Sequence, residues 1–123
     1  MAREAKTFAE YVDTIATNSP DAAIMDWGRR LDRSVDGYYE RIGRPRPSKA
    51  RHVESDVAAD PLLGPEAAAL LRDLRRKRNR VVHEDVGPIG QDDAIEYARQ
   101  AHRLGWVLAA GGSFAALEPL PIE

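Results

Sequence analysis

Apolar residues return every three to four positions along most of the chain, and no run shows the two-residue alternation of a half-buried strand. In residues 4–17 the stripe is Phe8, Tyr11, Val12 and Ile15, which predicts a helix. The sequence "TNSP" ends that helix and starts another. Ser19 suits an N-cap, Pro20 the first helical position, and Asp21 the positive end of the helix dipole. Beyond it Ile24, Trp27, Leu31, Val35 and Tyr38 mark one face as far as about Ile42, where Gly43, Pro45 and Pro47 stop the helix.

A shorter helix is expected over 48–59, opened by Ser48 and burying Ala50, Val53 and Val57. "DPLLGPE" reads as a turn that tucks Leu62 and Leu63 into the core, with Pro65 opening the next helix. "GPIGQDD" separates that helix from a last one over 91–110, whose stripe is Ala94, Tyr97, Ala98, Ala101, Leu104 and Leu108. The pattern predicts an all-α bundle of four main helices plus a short one, forming one domain over 1–112. "FAALEPLPIE", with two prolines, is expected to be extended or mobile, so 113–123 are assigned to a tail.

With 123 residues, 43% hydrophobic and 31% charged, the chain matches a globular domain with a single core. No run approaches the roughly 20 apolar residues of a membrane span; "WVLAAGGSFAAL" is interrupted by Gly111 and Gly112. "MAREAKTFAEYVD" carries charge throughout and does not read as a secretory signal. The absence of cysteine excludes disulfides, thiolate metal sites and a cysteine nucleophile. The expectation is a cytoplasmic protein with no membrane partner.

A net charge of −2 conceals two cationic segments. Residues 41–51 hold five Arg/Lys and no acid, and residues 72–80 hold six against one acid. A polyanion is the natural partner for such segments, although a merely well-solvated helix reads equally well from charge alone. The second segment has a further peculiarity. On a helical wheel centred on Leu74, Ala67, Leu70, Leu71, Val81 and Val82 form the core stripe. Arg78 falls about 40° from the centre, inside that stripe. A guanidinium placed there needs an anion, a carbonyl cluster, a subunit interface or a wet cleft. Asn79 and His83 lie at about 140° and 180°, on a ridge shared with Arg72 and Arg76. Arg78 and His83 therefore meet only if the helix frays near "VVHED" or a second copy brings its own residue across.

The run "LLRDLRRKRNRVVHE", with Arg-Asn-x-x-x-His after a leucine-rich helix, resembles the signature of the HEPN superfamily. The likeness extends over about residues 8–110, with "SPDAAIMDWGRRLD" and "GQDDAIEYARQAHRL" resembling flanking helices of a bacterial branch of uncharacterised function. The resemblance implies a small helical bundle that forms a two-fold dimer. It also implies a metal-independent endoribonuclease, toxin-like or acting in phage defence, with RNA as substrate and an antitoxin or other protein as further partner. Arg78 and His83 take the catalytic positions, with Asn79 as the polar neighbour.

These residue types suit the chemistry. Histidine, with an unperturbed pKa of about 6.5, takes or gives a proton near neutral pH. Arginine matches two phosphate oxygens and stabilises developing charge. One chain supplies one such histidine, and a dimer supplies both a base and an acid. Arg72, Arg75, Arg76, Lys77, Arg80, Arg44, Arg46 and Lys49 are the candidate RNA phosphate contacts.

Other readings stand beside this one. His83 also fits a plain C-terminal helix residue favoured by the dipole, and His52 and His102 read as surface residues. No metal or cofactor is expected: "HED" is not HExxH, and no GxGxxG, P-loop or GxSxG occurs. Trp27, Tyr38 and Tyr97 read as core, and Trp106, off its helix's stripe, as an interface residue. The competing functions are a non-catalytic dimerisation or interaction module acting through a protein partner, and a nucleic-acid binder without cleavage.

Overall fold

The structure, a computed structural model, describes residues 19–83 and 89–115. Among these it contains four helices and no strands: α1 (Pro20–Ile42), α2 (Ala50–Ala59), α3 (Gly64–Val82) and α4 (Gln91–Ala110). The helix expected over 4–17 lies outside the described residues. None of the four helices is long and apolar enough to cross a membrane.

Local chemistry sets the ends of α1. The Ser19 hydroxyl accepts the Ala22 N–H at 3.2 Å, Pro20 occupies the first turn, and Asp21 faces the positive end of the dipole. Gly43 closes the helix at φ 71°, in the left-handed region that glycine enters without steric cost. The next helix departs from expectation. It begins at Ala50 rather than Ser48, with Lys49 as an N-cap that makes no side-chain capping bond.

Helix α1 packs most extensively on α4, and α2 packs on α3, which also touches α1 and α4. The core joins Ile24, Trp27, Leu31, Val35 and Tyr38 of α1 to Ala94, Tyr97, Ala98, Leu104 and Leu108 of α4. Val53, Val57, Ala67, Leu71 and Leu74 close it from α2 and α3. The Arg41 guanidinium donates to the Leu108 carbonyl at 3.2 Å, tying the ends of α1 and α4 together.

Several expected positions shift. Leu63 is buried, but Leu62 is 49% exposed. Its N–H is held by the Asp60 carboxylate at 2.9 Å and its carbonyl by the Phe114 N–H at 2.8 Å, which turns its side chain outward. Phe114, the second residue of the expected tail, is itself buried in the core; residues 116–123 lie outside the described part. Ala50 is half-buried rather than buried, and Val82 is exposed. His102 is not a surface residue. It is half-buried, with its ring edge-to-face with Trp27 at 5.7 Å, and burial followed by the nearby Arg30 charge lowers its pKa. His52 is exposed, as expected.

Two tyrosines fasten α1 to the other side of the bundle. The Tyr38 hydroxyl donates to Asp60 at 2.8 Å and the Tyr39 hydroxyl to Asp56 at 2.6 Å. Burial, and next the carboxylate acceptor, push Tyr38 up to about 12 and raise Tyr39 by the same route. A folded-state value above the unfolded one, about 10, means that the contribution is complete below that pH and fades as pH rises through about 12. Tyr38→Phe is therefore expected to cost about 1 kcal/mol at neutral pH and to flatten the loss of stability between about pH 10 and 12. Urea melts across that range check both effects.

Candidate functional site

The candidate site is built on α3. Ala67, Leu71 and Leu74 face the core, and the helical repeat brings Arg78 to the same face. Its aliphatic stem crosses α1 at Gly28. A Cβ on Gly28 would lie 2.6 Å from Arg78 Cδ and 3.2 Å from the Tyr97 hydroxyl oxygen. Three helices thus converge at a point that only glycine leaves open. Arg78 Nε is buried and donates to no described atom.

Arg78 lines a cleft of about 70 Å³ whose apolar wall includes Leu31, Val35, Val53 and Leu71. Two ion-paired arginines also line it. Arg46 contacts Asp32 and Asp36, each at 2.7 Å, and Arg75 donates to Glu54 through Nη2 at 2.8 Å and Nε at 3.0 Å. Burial pushes Tyr97 up to about 12, against the opposing Arg78 charge, so its hydroxyl keeps its proton at neutral pH.

His83 lies elsewhere on the rod. It is the exposed C-cap of α3, at φ −90° and ψ 2°, and its N–H donates to the Asn79 carbonyl at 3.0 Å. Helix α3 is regular up to Val82, so fraying before the histidine does not carry it to Arg78. Nor is His83 among the residues of the Arg78 cleft. Asn79 is half-buried on the ridge that leads to His83. Within one chain, then, Arg78 and His83 occupy separate places.

Compared with family models, curated proteins and solved structures, the chain matches none. Its residues alone carry the functional argument.

The cationic residues divide into two sets. Arg46 and Arg75 are paired as described, Arg44 lies 3.6 Å from Asp56, and Arg72 lies 3.3 Å from Asp73. Lys49, Arg76, Lys77 and Arg80 make no ion pair among the described residues. Arg76 and Arg80 are exposed, one turn apart, on the face that continues to His83. Among the described residues no three of His, Cys, Asp or Glu cluster closely enough to hold a metal ion.

Sequence reasoning passed over Gly28, Asp32 and Glu54 and treated Tyr97 as core packing. The available signal was Gly28 itself, a residue without a side chain beside Trp27 on the buried face of a long helix. Such a gap marks a close approach.

Proposed function

We propose that the chain is a metal-independent endoribonuclease of HEPN type, toxin-like or active in phage defence, working as a symmetric dimer. The observation that supports this most is the Arg78 guanidinium, set into the core-facing stripe with a buried Nε that no described atom accepts. Stability alone does not favour such a placement. The unpaired Arg76 and Arg80 on the face leading to His83 offer a track for a phosphate backbone.

In this reading two copies face each other through α3, so that Arg78 and His83 from both chains border one cleft. One His83 imidazole takes the proton from a ribose 2′-OH, and that oxygen attacks the neighbouring phosphorus. The bond to the 5′-oxygen breaks, and the partner's His83 protonates the departing oxygen. The products are a 2′,3′-cyclic phosphate and a 5′-hydroxyl. Arg78 neutralises the non-bridging oxygens as charge accumulates, and Asn79 orients the imidazole or the phosphate.

Two experiments test the reading. Expression of the active chain is expected to slow growth of its host, with His83→Ala relieving the burden; equal growth would remove the toxin reading. In binding titrations, Arg76→Gln and Arg80→Gln should each lower the salt slope by about 0.7, the value for one single-strand phosphate contact. Arg46→Gln and Arg75→Gln should leave the slope nearly unchanged, because their charges are already matched by acids.

The alternative is a non-catalytic dimerisation or interaction module acting through a protein partner. It is favoured by Trp106, which is 62% exposed on α4. That module would express freely, leave RNA intact in chelator, and lose assembly when Arg78 is replaced.

A further inference from the structure

The Arg78 cleft has features that RNA cleavage does not require. A phosphodiester track is open and polar, whereas this cleft is walled by Leu31 and Val35 from α1, Val53 from α2 and Leu71 from α3. Its charges are also nearly balanced. Asp32, together with Asp36 from outside the lining, offsets Arg46, and Glu54 offsets Arg75. Arg78 is left as the one lining cation without an ion pair among the described residues. The Tyr97 hydroxyl, 3.2 Å from the position a Gly28 Cβ would take, lies beside it.

We propose that this cleft binds a small free carboxylate with a short apolar body, of the class of isobutyrate. The carboxylate accepts from Arg78, with Tyr97 as a neighbouring neutral donor, and the hydrocarbon lies on Leu31, Val35, Val53 and Leu71. A single negative charge fits because one guanidinium is unmatched. Enclosed in the cleft, a free phosphate dianion would bring a second charge toward Asp32 and Glu54, with its oxygens against an apolar wall; the RNA phosphate of the nuclease reading would meet Arg78 only from the open side. The volume of about 70 Å³ restricts the enclosed part to a few carbon atoms, with room for extension through the open side. Gly28 keeps the site in being, since a methyl group there would displace the Arg78 stem.

This inference shares Arg78 with the nuclease reading but does not rest on it, and its test contains no RNA. Isobutyrate, isobutanol and inorganic phosphate are titrated separately into the full chain at constant ionic strength, followed by backbone amide shifts. The expected result is saturable binding of isobutyrate, with shifts centred on the cleft residues. Isobutanol and phosphate should each bind at least about tenfold more weakly, because a charged hydrogen bond or the apolar contact is lost.

Ala50→Leu adds bulk to the cleft wall from α2 while keeping the Arg78 side chain, and should abolish isobutyrate binding while the spectrum stays folded. Arg78→Gln should weaken it about tenfold or more. Isobutanol binding as tightly as isobutyrate would overturn the proposal, as would tighter binding of phosphate. So would isobutyrate binding unaffected by either substitution, or no saturable binding at all.

Discussion

Arg78→Met is expected to raise unfolding free energy by about 1 kcal/mol while lowering RNA cleavage by ~10²–10³-fold. Methionine retains the apolar stem over Gly28 but removes the Nε that is buried and donates to no described atom. An unsatisfied buried donor costs about 1–3 kcal/mol, and the half-buried setting of Arg78 places it at the lower end. In the proposed nuclease the activity falls because the transition state loses the positive charge of Arg78. Opposite signs in stability and activity mark a residue retained for function at the expense of the fold. Denaturant melts and cleavage rates on the same preparations check this. A marked loss of stability would instead make the guanidinium structural, as in a module where it pairs across subunits.

His83→Ala should lower cleavage by ~10²–10⁴-fold, the range spanned by removing a general acid or base. Stability should change by no more than about 0.5 kcal/mol, since the side chain is exposed at the end of α3 and the capping bond to Asn79 uses its backbone N–H. The pair of effects separates chemistry from helix capping. A plain C-terminal residue would show the small stability change and leave cleavage untouched. Thermal melts with single-turnover cleavage rates provide the comparison.

The helices were legible where the signal is local. Ser19, Pro20 and Asp21 begin α1, and Gly43 ends it, because caps and dipoles act within one turn. The stripe of α4 and the burial of Trp27, Tyr38 and Tyr97 follow from helical periodicity in the same way. Where tertiary contacts decide, the pattern falls short. Adjacent Leu62 and Leu63 look alike in sequence, and the bonds from Asp60 and Phe114 determine which one faces outward. Val82 belongs to the stripe on the wheel, but at the last turn of α3 it is 48% exposed. His102 is drawn in by Trp27 from a distant part of the chain.

The same limit applies to the candidate site. The position of Arg78 inside the stripe was readable from its spacing. Gly28 and Tyr97, its neighbours in the cleft, come from other helices, and no local pattern links them to it. The two basic segments look uniformly unpaired along the chain. Folding brings Asp32, Asp36, Glu54 and Asp56 against Arg46, Arg75 and Arg44, leaving a smaller free set around Arg76 and Arg80.

In the proposed nuclease, Arg78 and His83 meet only between two copies of the chain. The most direct measurement is the per-chain rate of RNA cleavage in chelator, followed through dilution across the dimer–monomer transition, with the product ends identified. The expected result is 2′,3′-cyclic phosphate ends and a rate that falls in step with the dimer fraction. A rate that persists in the monomer, or no cleavage at any concentration, would rule out a nuclease site shared between two chains.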